Sequence, residues 1–201
     1  MTRIKICGIK NEADALYCAE AGADAVGLVF AHSPRQIDVA TAQKICAALP
    51  PFISRIGVFV DTDIESVERI SQTCGLTALQ FHGSEDEQYC QSFTLPVLKA
   101  IRVKQAEDLN GLAGHPASAV VLDTFHPTLA GGTGEPFDWN LAQTALPKPV
   151  ILAGGLTPQN VQAAIGKLKP YGVDVSSGVE TNGAKDRVKI KAFIDQVRRC
   201  A

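Results

Sequence analysis

Residues 118–139 read Ser-Ala-Val-Val-Leu-Asp-Thr-Phe-His-Pro-Thr-Leu-Ala-Gly-Gly-Thr-Gly-Glu-Pro-Phe-Asp-Trp. The apolar run Ala119 to Leu122 ends in a carboxylate, Asp123, and a loop carrying Gly131, Gly132 and Gly134 follows it. Phe137-Asp138-Trp139 then opens a helix that begins near Asp138. A short apolar run bounded by Gly and Pro is the pattern of a parallel strand buried on both faces. An acid at the carboxyl end of such a strand stands where α/β enzymes keep their chemistry.

The same unit recurs on both sides of this stretch. Toward the N-terminus, strands are predicted at Arg3–Cys7, Ala25–Phe30, Ile53–Val60, Leu76–Phe81 and Pro96–Val103. Toward the C-terminus they fall at Pro149–Ala153 and Gly172–Val175. Helices fill the intervals. Asn11, with Asp14 three residues on, resembles a capping box for a helix through about Ala21. Ala42, Ile45, Cys46 and Leu49 form one apolar face, as do Val161, Ala164, Ile165 and Leu168, and Ile190, Phe193, Ile194 and Val197. Asp61-Thr-Asp63 starts a third helix, with Asp61 read as a cap. A short acidic helix spans about 84–92, and another runs from the fifth strand to about Leu112. Thr157-Pro158 reads as a cap followed by Pro at the first helical position. Strand–helix alternation repeated eight times in one small domain favours a closed (β/α)8 barrel over an open sheet. Residues 1–201 are expected to form one such domain, with short loops and no linker.

Composition agrees. The chain has 201 residues, 46% of them hydrophobic, which suits one full-sized core. A net charge of −2 with scattered Lys and Arg argues against a nucleic-acid partner. The longest apolar stretch, Ala25 to Ala31, is too short to span a membrane, and Met1–Cys7 has no signal-peptide core. The cysteines at 7, 18, 46, 74, 90 and 200 show no metal-ligand spacing, and the four histidines show no HxxxH pattern. A cytoplasmic protein with reduced, mostly buried thiols is expected, without a metal or other cofactor. The oligomeric state is left open by the sequence.

In a barrel the strand ends face a common site. Glycines after the seventh strand, Gly154 and Gly155, and Ser176-Ser177-Gly178 after the eighth mark the two loops that form barrel phosphate sites. A small phosphorylated molecule is therefore the expected ligand. Cys7 and Asp123 end strands on nearly opposite sides of the ring, where one group can deprotonate a substrate and the other protonate it. Taken alone, Cys7 reads as a buried strand cysteine, because a cysteine near neutral pH is mostly thiol. Arg35, in a Ser-Pro-Arg turn, is a candidate clamp for a carboxylate. Gln80 and His82 have like-directed side chains if their strand holds. Asp174 is placed to hold sugar hydroxyls or to fix the Ser176 loop. Lys5, two residues before Cys7, points the same way as Cys7.

Together these motifs resemble the phosphoribosylanthranilate isomerase family along the whole chain. The resemblance rests on Lys5-Ile-Cys-Gly-Ile9, Ser33-Pro-Arg35, Gln80-Phe-His-Gly83, Leu122-Asp123, Gly131-Gly-Thr-Gly134, Phe137-Asp-Trp139, Ala153-Gly-Gly-Leu156, Asp174-Val-Ser-Ser-Gly-Val-Glu180 and Lys185-Asp186. It implies a (β/α)8 barrel and a cofactor-free Amadori rearrangement in tryptophan biosynthesis. It further implies that Asp123 is the general acid that opens the furanose ring and that Cys7, as thiolate, is the base that takes the C2 proton. Arg35 would lie near the anthranilate carboxylate, and Gly154, Gly155 and Ser176–Gly178 at the phosphate. These roles require Asp123 to carry a proton when substrate binds and Cys7 to have positive or N–H neighbours. Asn182 stands where relatives frequently carry proline before Gly183. A histidine-pathway sugar isomerase would use two aspartates, and Cys7 argues against it. Indole-3-glycerol phosphate synthase would require a catalytic lysine array. A catalytically inert barrel that binds a sugar phosphate remains the reading of a different class.

Overall fold

The computed structural model describes residues 1–110, 112, 114–124 and 148–200. Eight parallel strands close into a barrel in chain order: β1 (Arg3–Cys7), β2 (Ala25–Val29), β3 (Ser54–Phe59), β4 (Ala78–Phe81), β5 (Val97–Val103), β6 (Ala119–Thr124), β7 (Val150–Leu152) and β8 (Gly172–Val175). Closure pairs β1 with β8, placing Lys5 opposite Asp174. Six α-helices are seen among the described residues: α1 (Glu12–Ala21), α2 (Val39–Ala48), α3 (Ile64–Cys74), α4 (Glu87–Gln91), α5 (Val161–Leu168) and α6 (Arg187–Arg198). None of the described helices is long and apolar enough to cross a membrane.

The two-residue period of a strand explains why these segments are apolar throughout. One set of side chains points inward: Ala25, Ile56, Ala78, Leu98, Ala100, Ala119, Val121, Ile151 and Ala153 form a cluster of their own. The alternate set, including Ile4, Ile6, Val26, Leu28, Leu79, Phe81, Val120, Leu122, Leu152 and Val173, joins the larger core shared with the helices. The expected helix faces supply the other half of that core, with Ala42, Ile45 and Cys46, then Val161, Ala164 and Ile165, then Ile190, Phe193, Ile194 and Val197 all buried. Small residues dominate the interior cluster because eight strands leave a narrow lumen.

Local capping sets the helix starts. Asn11 accepts from the Asp14 amide, while its own amide reaches back to the Asp14 carboxylate. Asp186 accepts from the amides of Val188 and Lys189 to start α6. Before α6, a small antiparallel hairpin of β9 (Glu180–Thr181) and β10 (Ala184–Lys185) turns at Asn182-Gly183. Both turn residues have positive φ, 53° and 76°. Asn-Gly suits such a two-residue turn, and proline at 182 could not adopt it.

The structure corrects several boundaries. Strands β2, β3, β4 and β7 are shorter than the apolar runs that announce them: end residues such as Phe30, Thr77 and Ala153 make a single interstrand backbone bond without continuing the ladder. Asp61 is not the cap of α3: Asp63 accepts from Ser66 N, whereas the Asp61 carboxylate accepts from Ser84 N in the next loop. The segment after β5 is one 3-10 turn, Ala106–Leu109, held by the Asp108 carboxylate accepting from the amides of Lys104 and Gln105. Thr157-Pro158 precedes α5 by a separate turn. The Asn160 side chain folds back to bond Thr157 N and Gly155 O, so the helix starts at Val161. The glycines at 131, 132 and 134 and the helix expected near Asp138 lie outside the described residues.

One buried ion pair ties two loops at the carboxyl end of the barrel. Lys99, on the outer face of β5, bonds Glu85 Oε2 at 2.6 Å and Gly83 O at 2.8 Å. Glu85 also accepts from the amides of Asp61 and Gly83, so one carboxylate joins the β3 and β4 exits. Both side chains are under 10% exposed, at 8% and 1%. Removing one partner strands the other charge. Lys99→Met is therefore expected to lower stability by about 3–5 kcal/mol, read from urea unfolding. A change within error of zero would show that the pair holds nothing.

Candidate active site

The carboxyl ends of the strands form a cavity. Ten of the eleven expected positions line it: Cys7, Arg35, Gln80, His82, Asp123, Gly154, Gly155, Asp174, Ser176 and Ser177. Gly178 does not. A Cβ there would lie 1.8 Å from the Leu156 carbonyl oxygen, so Gly178 lets the loops after β7 and β8 pack together. The inward period places the rest: Cys7 above Lys5 on β1, Asp123 above Val121 on β6, Gln80 above Ala78 on β4 and Asp174 above Gly172 on β8.

Cys7 occupies space that β2 leaves open. A Cβ on Gly27 would lie 2.6 Å from Cys7 Sγ and 3.1 Å from Lys5 Cε. Burial pushes the Cys7 thiol pKa up, and Asp174 adds to that, while Lys5 and Lys185 pull the other way. The balance is a raised pKa, the opposite of what a thiolate role demands. Beneath Cys7, Lys5 Nζ donates to Asp174 Oδ2 at 2.7 Å, with both side chains buried. Burial opposes the Lys5 ammonium, yet Asp174 and Cys7 outweigh it and raise its pKa.

Across the cavity, Asp123 stands in register with Arg102 of β5. His82 Nε2 lies 3.2 Å from Asp123 Oδ2, close enough for a charge contact but off hydrogen-bond geometry. Arg102 Nη2 donates to the His82 carbonyl at 3.4 Å. Gln80 is buried, and its Oε1 has no hydrogen-bond partner among the described residues. The same holds for Asp174 Oδ1. Two buried acceptors at one cavity are suited to receive ligand O–H or N–H groups.

The side of the cavity that carries the loops after β7 and β8 is built from turns and cations. Gly154 and Gly155 both have left-handed φ, 76° and 62°, which is cheap only for glycine. Ser176 Oγ donates to the Cys7 carbonyl at 3.0 Å, and Lys185 Nζ donates to Ser176 O at 3.1 Å. Lys185, not Asp174, therefore fixes the Ser176 loop. Arg35 makes a two-pronged pair with Glu180, Nε to Oε1 at 2.8 Å and Nη2 to Oε2 at 2.7 Å. Lys185 bonds the same carboxylate at 2.6 Å. Burial works against the Glu180 carboxylate, but the Arg35 and Lys185 bonds prevail and bring its pKa down to about 2.

Glu180 and Lys185 were not singled out by the sequence reading as site-forming side chains. The available signal was their place at the two ends of a six-residue hairpin with an Asn-Gly turn, which brings them face to face. The His82–Asp123 contact needs strands β4 and β6 at barrel spacing and has no local signal.

A sequence profile described as N-(5'phosphoribosyl)anthranilate (PRA) isomerase matches residues 4–196. The chain belongs to the N-(5'-phosphoribosyl)anthranilate isomerase family. A family member from Desulforudis audaxviator is 50% identical over 201 residues, covering 98% of each chain. A solved phosphoribosyl anthranilate isomerase from Thermotoga maritima superimposes with a TM-score of 0.91 at 39% identity, covering 99% of this chain and all 100% of that one. Another solved isomerase of the family, in complex with reduced 1-(o-carboxyphenylamino)-1-deoxyribulose 5-phosphate, has a TM-score of 0.88 at 38% identity, with the same 99% and 100% coverage.

The Glu180 cluster carries a pH signature. A carboxylate whose folded pKa is depressed contributes stability that is full above its unfolded pKa and is lost as pH falls through the folded value. For Glu180 that window runs from about 4.3 down to about 2. The stability advantage of wild type over Glu180→Gln is expected to be constant above the window and to shrink steadily as pH falls through it. Urea midpoints of both proteins between neutral pH and the lower end of the window check this. A difference that does not vary with pH would remove the cluster from the stability of the fold.

Proposed function

We propose that Cys7 and Asp123 divide the proton transfers of the family's reaction between them. The protein is an isomerase of tryptophan biosynthesis that converts N-(5'-phosphoribosyl)anthranilate to 1-(2-carboxyphenylamino)-1-deoxyribulose 5-phosphate. In our reading Asp123 gives its proton to the furanose ring oxygen, the C1–O bond breaks and the ring opens to an iminium. Cys7, as thiolate, removes the proton on C2, the electron pair moves to form the enol-amine, and that species tautomerises to the ketose as its C2 hydroxyl loses a proton and C1 gains one. Only protons move, so the reading needs no cofactor or metal. The observation that carries it is that Cys7 and Asp123 enter one cavity from β1 and β6, with the expected phosphate turns at its edge.

The other side chains divide along charge. Gly154, Gly155, Ser176 and Ser177 receive the phosphate through backbone and hydroxyl groups. Gly178 supports that loop pair by close packing. Arg35, oriented by Glu180, faces the anthranilate carboxylate. Gln80 Oε1 and Asp174 Oδ1 accept from sugar hydroxyls or the amine. His82 beside Asp123 stabilises the carboxylate left once the acid has given up its proton. We take residues 1–201 as one catalytic barrel working on a small phosphorylated substrate in the cytoplasm, a setting that suits six free cysteines.

Turnover of freshly made phosphoribosylanthranilate, followed by loss of anthranilate fluorescence, tests the roles. Cys7→Ser and Asp123→Asn are each expected to lower kcat by roughly 10²-fold or more while KM changes little. Near-wild-type kcat in either variant would remove that residue from proton transfer. Tight binding of a phosphorylated anthranilate analogue without turnover by the wild-type protein would favour the inert barrel.

A further inference from the structure

The raised pKa of Cys7 leaves a question that the acid–base reading, on which this inference rests, does not answer. Lys5 is not needed to bind substrate in that reading and does not line the cavity. It is buried one inward position below Cys7, with Nζ 2.7 Å from Asp174 Oδ2. The point above Gly27 where a side chain would begin is 2.6 Å from Cys7 Sγ and 3.1 Å from Lys5 Cε. Sulfur and lysine stem thus converge on space that β2 leaves empty, with no side chain between them.

We propose that Lys5 is the positioning residue that makes Cys7 a base: its ammonium, shared between the Asp174 carboxylate and the Cys7 sulfur, holds the thiolate in a site whose substrate brings two anionic groups. The other charged groups facing Cys7 are already committed. Lys185, from β10, is bound to Glu180 and to Ser176 O. Arg35, from the loop after β2, is bound at two points to Glu180. Neighbouring β2 contributes only Gly27, and Asp123 and His82 stand across the cavity. Lys5 has one carboxylate partner, and that carboxylate has one buried oxygen, Oδ1, with no hydrogen-bond partner among the described residues. A substrate hydroxyl donating to Oδ1 draws negative charge away from Lys5 and leaves more of the ammonium's field for the sulfur. Burial and Asp174 oppose the thiolate, and Lys5 is foremost among the groups that favour it. In turnover the thiolate takes the C2 proton. The enzyme resets when Cys7 releases that proton to solvent and Asp123 regains one.

The test reads the thiol directly. In a Cys200→Ser background, which removes the exposed cysteine and leaves the other four buried, the rate of Cys7 alkylation by iodoacetamide is measured against pH by mass spectrometry. The pH profile of kcat/KM is measured in parallel. Lys5→Met is expected to raise the alkylation midpoint by about one pH unit or more, and Asp174→Asn to lower it. Lys5→Arg, which keeps the charge, should lie near wild type. The acid limb of kcat/KM should follow the midpoint upward in Lys5→Met. If Lys5→Met does not fold, Lys5→Met/Asp174→Asn replaces it, with no unpaired buried charge. A midpoint above that of Asp174→Asn alone supports the proposal, and an equal one overturns it. An unshifted midpoint in folded Lys5→Met, or shifts of the same sign in Lys5→Met and Asp174→Asn, also overturns it. A shifted midpoint with an unshifted activity limb supports the hold of Lys5 on the thiol and overturns Cys7 as the base.

Discussion

Closure of the barrel sets one lysine against one aspartate. Strand β1 meets β8 with Lys5 opposite Asp174, and their side chains form a buried 2.7 Å pair on the inner face. A one-residue slip of either strand would turn its charge out among the apolar side chains that pack on the helices and leave the other inside without a partner. A buried pair of this kind adds little net stability, since desolvation consumes most of the attraction. Breaking it is costly, so it penalises every other register. The register then fixes what stands one step higher: Cys7 above Lys5, and the Ser176 loop above Asp174.

The interior is narrow, and small residues make it passable. Ala25, Ala78, Ala100 and Ala119 fill the lower layers without crowding, and Ala153 continues the small surface up to the cavity. Gly27 goes further and supplies no side chain, which lets the sulfur of Cys7 and the stem of Lys5 share one space. Polar and charged groups gather toward the carboxyl end, with Lys5, level with Ala25, the lowest of them. That division keeps Asp123 and Asp174 buried at the floor of an open cavity.

Loops at the mouth are held by ion pairs in addition to the buried apolar residues Ile9, Ile37, Leu156 and Val179. Glu85 with Lys99 joins the exits of β3 and β4. Glu180 with Arg35 and Lys185 joins the exits of β2 and β8 through the hairpin. In each case one carboxylate gathers several donors, so the loops are tied by few atoms and leave the cavity walls free. The close approach of Gly178 to Leu156 adds a steric tie between the β7 and β8 loops.

Taken by itself, the sequence determined the strand positions, the eightfold alternation and the residues that end each strand, because burial on two faces and helix amphipathicity are properties of short segments. It also brought Cys7, Asp123, Gln80, Asp174 and the glycine turns into view, since strand period alone says which side chains share a face. Boundaries were less legible: apolar residues such as Val60 and Leu76 continue the pattern past the point where ladder bonds stop. The Asp61 cap failed because its carboxylate bonds a neighbouring loop, and the Thr157 cap because its hydroxyl accepts from Gln159 N in a separate turn ahead of the helix. Only the tertiary structure decided who pairs with whom. Lys5 with Asp174, Arg35 with Glu180 and His82 with Asp123 are separated by 169, 145 and 41 positions in the chain. The field at Cys7 is the sum of such long-range pairs with burial, and no local pattern encodes that sum.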